Sequence, residues 1–365
     1  MGIKTIVALG ATVMALLAGC AQIGYYAQAA QGQFALLAEA RPIDDWLADP
    51  QAGEPLKDKL KKVRAIRRFA ARELALPDNA SYTTYTDLKR PYVLWNVVAA
   101  PALSLQPKQW CFPVAGCVIY RGYYSKQAAQ AYGAELRAQG YDVQVAGVPA
   151  YSTLGWFDDP VLSTFIHYPE GELARLIFHE LAHQVAYAPG DSQFNESFAT
   201  AVEEVGVARW MALEGDAATR AAYARFEGRK QDFLRLLLKY RARLEALYAQ
   251  DIDDHEKLQR KAATFAALKD EYQTLKASWG GYTGYDRWFA EPLSNAHLAA
   301  VATYHDLVPA FRALLGREKS FPKFYAEVKR LAAEDQQQRQ QQLAAFEHSG
   351  TLATAPVSES QRQQP

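Results

Sequence analysis

The residues best suited to chemistry in this chain are two histidines and a glutamate in the segment His179-Glu180-Leu181-Ala182-His183. If the segment is helical, His179 and His183 are four positions apart and project from one face, about one turn from each other. Two imidazoles at this spacing can share a metal ion, and the pattern is typical of Zn²⁺ peptidases. Glu180 lies beside His179, where it can accept a proton from water more easily than it can act as a third ligand.

A pattern this short also occurs by chance, so its surroundings decide how much it means. Pro169, Glu170 and Glu172 precede an apolar run, as at the start of a helix with acidic residues in its first turn. Two histidines and a glutamate would be costly to bury in so apolar a helix without a partner. A bound metal ion removes that cost, and the helix is therefore predicted to carry a metal site.

Glu196 is the candidate for a third metal ligand. Residues 189–191 interrupt the first helix, and Ser192 is expected to cap a second helix that returns beside it. A carboxylate in the first turn of that helix would complete a His₂Glu set and leave a fourth position for water. The alternative is that Glu196 only complements the helix dipole. Farther along the same face, Thr200 and Glu203 are candidates to accept a hydrogen bond from a ligand imidazole.

These two segments resemble the zinc sites of the glutamate-zincin metallopeptidases, the group that includes the thermolysin-like enzymes. More narrowly, the chain resembles a bacterial lipoprotein family of putative aminopeptidases over roughly residues 14–330. Besides the two helices, the segments that carry this narrower resemblance are Gly24-Tyr25-Tyr26, Gly32-Gln33, Ala40-Arg41-Pro42-Ile43, residues 92–99 and residues 151–160. The resemblance implies a zincin-like core, one Zn²⁺ ion, a peptide substrate and aminopeptidase activity.

The chain departs from the thermolysin pattern in one region. The gap between His183 and Glu196 is shorter, and Thr200 stands where the second helix of those enzymes carries an aspartate. The identity of the residue that orients the ligand histidine is therefore left open between Thr200 and Glu203.

Hydrolysis also needs a group that stabilises the oxyanion, and residues 293–306 hold three candidates. The resemblance favours Tyr304. His297, seven positions earlier, would share a helix face with it, and His305 would point elsewhere. Tyr282 and Tyr285, in a glycine-rich turn, are further alternatives.

The N-terminus predicts export. Lys4 precedes an apolar stretch from Ile6 to Leu17, which is short for a membrane span and ends at Leu17-Ala18-Gly19-Cys20. This arrangement resembles a lipoprotein signal over residues 1–19, with lipid on Cys20, and Ala21 resembles the sorting signal for the outer membrane, facing the periplasm. The alternative is an ordinary secretory signal cleaved near Ala18 or Gly19.

The two remaining cysteines agree with an exported protein. Cys111 and Cys117 are close in sequence, between two strand-like runs, and in an oxidising compartment they can form a disulfide. A second thiolate metal site is the alternative, but no further ligand residues lie nearby in the sequence.

Composition and pattern predict a helix-dominated α+β fold. Half of the chain is hydrophobic and its formal net charge is zero, so nothing indicates a nucleic-acid partner. We expect a helical N-terminal segment over residues 20–80 and a zincin-like domain over 81–335. Within that domain we expect a small mixed or antiparallel sheet and a long helical hairpin at about 213–280. A glutamine-rich tail at 336–365, helical at first, should be disordered.

Three functional classes fit these features. A zinc aminopeptidase and a zinc endopeptidase would share every zinc residue, and they would differ in whether a further carboxylate holds the free amine of the substrate. A non-catalytic envelope-anchored binding protein is the third class, but the loss of Glu180 or of a ligand that it would permit is absent. The backbone of residues 147–153 is the candidate edge strand for pairing with an extended peptide, and the alternative is that this segment is a simple loop.

Overall fold

The structure is a computed structural model, and it describes residues 23–113, 115–301 and 305–353, with side chains through residue 346. Cys20, Tyr304 and the predicted signal peptide lie outside this part of the chain. The predicted helix-dominated α+β class is confirmed. None of the helices in the described ranges has an apolar stretch long enough to span a bilayer.

The N-terminal part is mostly helical. Residues 23–38 form α1, and α2 (Ile43–Ala48) and α3 (Glu54–Leu74) follow the short strand β1 (Arg41–Pro42). In α3 the buried residues recur every three or four positions, at Leu60, Val63, Ile66, Ala70 and Leu74. This stripe joins α3 to the main hydrophobic core.

The strands form three small sheets. One has the order β1-β2-β8, with β2 at Thr84–Thr86 and β8 at Val161–Leu162. In the second, β3 (Leu94–Pro101) pairs antiparallel with both β6 (Arg121–Tyr123) and β7 (Tyr141–Val148), and α4 (Lys126–Ala138) packs on it. The third is a hairpin of β4 (Trp110–Phe112) and β5 (Gly116–Val118). Strand β7 is thus an edge strand of its sheet within the described residues.

The C-terminal half is helical. Helices α5 (Glu170–His183) and α6 (Ser192–Leu213) lie side by side in the main core. The predicted helical hairpin consists of α7 (Ala217–Tyr248) and α8 (Asp254–Ser278). A 3₁₀ helix (Asp286–Phe289) and the helices α9 (Asn295–Ala299), α10 (Val308–Glu318) and α11 (Phe321–Ala332) follow.

The glutamine-rich segment is helical farther than its composition suggests, because α12 extends over Gln336–Ala353. Arg339 and Leu343 lie four residues apart on one face of it, and both are buried. Leu343 belongs to the main core, and α12 packs against α10. Two anchoring side chains one turn apart are therefore enough to dock this polar helix.

Candidate metal centre and cavity

The site is built on α5 and α6. Asp191 caps α6 by accepting a hydrogen bond from Phe194 N, so the cap lies one residue before the Ser192 expected from the sequence. Asn195 holds the connecting loop, since its side chain accepts a hydrogen bond from Ala188 N and donates one to Ala188 O. The start of α6, where Glu196 lies, is therefore fixed relative to the end of α5.

Three ligand atoms form a nearly equilateral triangle. His179 Nε2 lies 3.2 Å from His183 Nε2, and Glu196 Oε2 lies 3.3 Å from the first ring nitrogen and 3.6 Å from the second. Atoms that ligate a tetrahedral zinc ion at about 2.0–2.2 Å are separated by about 3.3–3.6 Å from one another. His179, His183 and Glu196 are thus spaced to hold one Zn²⁺ ion, and they form the metal-ligating group found among the described residues.

Glu203 orients the first histidine. Its Oε2 lies 2.9 Å from His179 Nδ1, and because a carboxylate can only accept, the proton of the ring lies on Nδ1. In the neutral ring, this tautomer leaves Nε2 free to bind a metal ion. Thr200, the other candidate, is buried one turn earlier on α6. Of the two residues, Glu203 is the one that contacts His179.

Glu203 is itself held by two cations that the sequence reasoning missed. Arg175 Nη1 donates to both carboxylate oxygens at 3.1 and 3.0 Å, and Lys230 Nζ, from α7, lies 3.4 Å from Oε1. Burial by itself would raise the pKa of Glu203, but Arg175 and His179 outweigh it and hold the pKa far below its usual range. Arg175 lies four residues before His179 on α5, so helical spacing could have revealed it, whereas Lys230 is distant in sequence.

The charges of the site favour a cation. Burial would lower the pKa of His179, yet its hydrogen bonds with Glu196 and Glu203 raise it to about 10. Burial would raise the pKa of Glu196, but the two histidines hold it below its usual range. The three ligands therefore surround a position where positive charge is stabilised, which agrees with the donor set of a zinc site.

Glu180 faces the same space. Burial raises the pKa of its carboxyl group, while the two histidines act in the opposite direction. Glu180 and the three ligands line one cavity of about 530 Å³, a size suited to a small ligand or a few residues of a peptide. The carboxylate of Glu180 and the three candidate metal ligands thus line one cavity.

The cavity wall contains six tyrosines that come from distant parts of the chain. The tyrosines that line it come from α1, from β5–β6, and from the segments that follow β6, β7 and α5: Tyr25, Tyr26, Tyr120, Tyr124, Tyr151 and Tyr187. Burial, together with the nearby Glu196 and Glu180 charges, raises the pKa of Tyr120. The sequence reasoning assigned no role to these tyrosines, because their convergence depends on the tertiary fold.

The β4–β5 hairpin contacts the loop between α5 and α6. Cys111 and Cys117 form a disulfide across it, and Ala115 O accepts hydrogen bonds from Gly190 N and from Tyr187 Oη. Gly116 has a φ of 71°, and a Cβ there would lie 2.3 Å from Gly190 N. Only glycine fits both this backbone conformation and this close approach.

Of the oxyanion candidates within the described residues, none lines the cavity. The Nδ1 atom of His297 accepts a hydrogen bond from Ser294 N at the start of α9, and His305, Tyr282 and Tyr285 are also absent from the wall. Tyr304 lies outside the described residues, so its role stays a prediction.

Comparison with known proteins agrees with the class of protein that this site indicates, a peptidase. The chain matches the family described as "Putative aminopeptidase" over residues 24–343. The protein therefore belongs to that family, and the match spans every described residue of the site. Searches of curated proteins and of solved structures gave no match.

Proposed function

We propose that the protein is a zinc-dependent peptidase that removes N-terminal residues from peptides in the cell envelope. The observation that carries this proposal is the triangle of His179 Nε2, His183 Nε2 and Glu196 Oε2 on the wall of a cavity that Glu180 also lines. A Zn²⁺ ion held there would supply Lewis-acid activation of water and of the scissile carbonyl.

The residues of the chain would divide the remaining work. Glu180 accepts the proton of the attacking water and later delivers it to the leaving amine. Its partly buried carboxyl suits this role, because burial raises its pKa and so makes the carboxylate a stronger base. Glu203 keeps the His179 ring in the tautomer that binds metal, and Arg175 and Lys230 keep Glu203 ionised.

An extended peptide would enter along the end of β7. The chain from Val148 to Leu154 contributes Val148, Ala150, Tyr151, Ser152 and Leu154 to the cavity wall. Because β7 is an edge strand, the peptide backbone could pair beside it, and such pairing selects backbone direction more than side-chain identity.

A tyrosine would stabilise the oxyanion. Tyr304 is the choice that the family resemblance implies, and Tyr120 is the alternative from within the cavity, since its hydroxyl lies in the field of Glu180 and Glu196. Separate Tyr304→Phe and Tyr120→Phe variants distinguish them: the true oxyanion donor should lower kcat by about 10²- to 10³-fold with little change in zinc content.

An endopeptidase is the second candidate, and one observation favours it. Among the described lining residues the carboxylates are Glu180 and Glu196, so no spare carboxylate is available to pair with a free α-amino group. The family assignment favours an aminopeptidase instead.

Matched peptides with a free or an acetylated N-terminus test this choice. An aminopeptidase should cleave only the free peptides and release single residues, which mass spectrometry detects directly. Internal cleavage of both sets of peptides would show that the protein is an endopeptidase. Zinc binding without hydrolysis of either set would show that it is a non-catalytic binding protein.

The location of this activity is a further part of the proposal. The signal-like residues 1–19 and Cys20 support a lipid anchor in the outer membrane, facing the periplasm. The mass of the N-terminal peptide of the purified protein tests it: a diacylated or triacylated Cys20 is expected, and an unmodified N-terminus near residue 19 or 20 would indicate ordinary secretion.

A further inference from the structure

Helix α1 exposes an apolar face to solvent. No charged residue occurs from Thr5 to Ala38, although about a quarter of the residues of a typical domain are charged. Ile23, Tyr26 and Phe34 recur on one face, and Ile23 is 69% and Phe34 61% exposed. Gln33 and Leu36 of the same helix are buried, and Leu36 belongs to the main core.

A second exposed element lies beside this face. Trp156 and Phe157 follow the cavity-lining segment after β7, and Trp156 is 71% exposed. The rings of Phe157 and Phe34 are in edge contact, with 6.3 Å between their centroids. We call Ile23, Tyr26, Phe34, Trp156 and Phe157 the aromatic rim.

The loop that carries Trp156 contains several hydrogen bonds between its own residues. Thr153 Oγ1 accepts from Phe157 N and donates to Phe157 O, and Trp156 N donates to Thr153 O. The buried Asp159 accepts from Thr153 N. These hydrogen bonds fix a loop conformation in which Trp156 is exposed to solvent. An exposed apolar patch of this kind marks an interaction site.

The rim borders the mouth of the catalytic cavity. Tyr26 belongs both to the rim and to the cavity wall, and Leu154, two residues before Trp156, also lines the cavity. Whatever covers the rim therefore lies next to the entrance for the substrate.

The position of the rim in the chain identifies its partner. Ile23 is three residues after Cys20, so the two are at most about 10 Å apart along the chain. Tryptophan and tyrosine side chains concentrate at the membrane–water interface, and a lipid anchor usually needs a second apolar or basic contact for stable attachment. The rim has no basic residue that would attract anionic lipid, and the acidic Asp158 follows it. Its binding to a bilayer therefore should not require anionic lipid.

We propose that the aromatic rim inserts into the interfacial layer of the lipid bilayer and turns the mouth of the cavity toward the membrane surface. The substrates would then be peptide segments presented at that surface. This inference rests on the lipid anchor proposed for Cys20 and is independent of whether the site hydrolyses peptides.

Tryptophan fluorescence in brominated lipid tests the proposal. The full processed chain, extracted from membranes and reconstituted in zwitterionic phosphatidylcholine vesicles with brominated acyl chains, should show quenching that disappears in Trp156→Phe. Quenching should also fall in a Phe34→Ser, Phe157→Ser double variant, and the salt concentration should have little effect. Equal quenching in wild type and Trp156→Phe would overturn the proposal.

Leu213→Ser with Leu258→Ser is the matched control, because both leucines are exposed but lie outside the rim; quenching should be unchanged. Loss of a dimer in Phe34→Ser, with no quenching in wild type, would assign the rim to self-association and refute bilayer insertion. The mass of the N-terminal peptide reports separately whether the anchor exists, and peptide hydrolysis in the same samples reports separately on the catalytic proposal.

Discussion

Among the three candidate ligands, His179 is held by a neighbour of complementary charge, Glu203. The spacing of His179 and His183 is a property of one helix, and the sequence alone therefore predicted both. The position of Glu196 depends on the loop between α5 and α6. This loop brings α6 back beside α5, as the sequence suggested, and so places Glu196 near the two imidazole rings. The sequence did not predict roles for Arg175 and Lys230. Both act through Glu203, and only the tertiary structure brings Glu203 between these cations and His179.

Replacing Glu203 by Gln should weaken zinc binding. The substitution keeps the shape of the side chain but removes the charge that holds the His179 tautomer and balances Arg175. Loss of such a supporting partner costs about 10- to 100-fold in metal affinity, which competition with a chromophoric chelator measures.

The matched control for this variant is Glu204→Gln, because Glu204 is the next residue of α6 and pairs with Arg312 instead. Zinc affinity should be unchanged in the control. An unchanged affinity in Glu203→Gln as well would show that Glu203 does not support the metal site.

At the scale of elements, the start of α6 is held from the far end of the chain. Asp191 caps α6 and also pairs with Arg339 of α12, 3.0 Å between Arg339 Nε and Asp191 Oδ2, and both side chains are buried. Arg339 also donates to the carbonyl oxygens of Leu331, Ala332 and Glu334. No local pattern predicted this contact, since the two residues are 148 positions apart.

Arg339→Met should lower the free energy of unfolding by about 3–5 kcal/mol, because it leaves Asp191 buried without its cation. Urea denaturation followed by circular dichroism measures the change. Arg330→Met is the control, since the ion pairs of Arg330 with Glu327 and Glu334 are more exposed and should contribute less than about 1 kcal/mol. Equal losses of unfolding free energy in the two variants would show that Arg339 does not anchor α12.

His297 should make the protein less stable in mild acid. Burial lowers its pKa to about 4 in the folded protein, whereas the unfolded chain has the ordinary value of about 6.5. The unfolded state therefore binds the proton first as the pH falls. The stability conferred by neutral His297 is complete above pH 6.5 and is lost toward pH 4.

His297 alone changes the free energy of unfolding by at most about 1.4 kcal/mol per pH unit. His297→Asn should flatten the pH dependence of the urea midpoint between pH 4 and 6.5, and replacement of the exposed His255 by Asn should leave the curve as in wild type. If the urea midpoint of His297→Asn depended on pH as in wild type, His297 would not be the cause of the loss of stability in acid.

For the whole molecule, the sequence predicted the fold class and the central helices but not the assembly of the cavity. Periodicity within α5, α6, α7 and α8 is local, and so these elements could be read from the chain. The cavity wall brings α1, the β4–β5 hairpin and the segment after β7 around the metal position. These contacts depend on tertiary packing, as do the buried Arg339 and Leu343 that dock a helix of polar composition.

The central claim is that the metal ion and Glu180 together hydrolyse peptide bonds, and one comparison tests it most directly. Wild type and Glu180→Gln are each loaded with zinc, their metal content is measured, and both are incubated with a library of free-amine peptides analysed by mass spectrometry. We predict close to one zinc ion per chain in both proteins, and a rate of peptide cleavage about 10²- to 10⁴-fold lower in Glu180→Gln. Equal cleavage by the two zinc-loaded proteins would contradict the account.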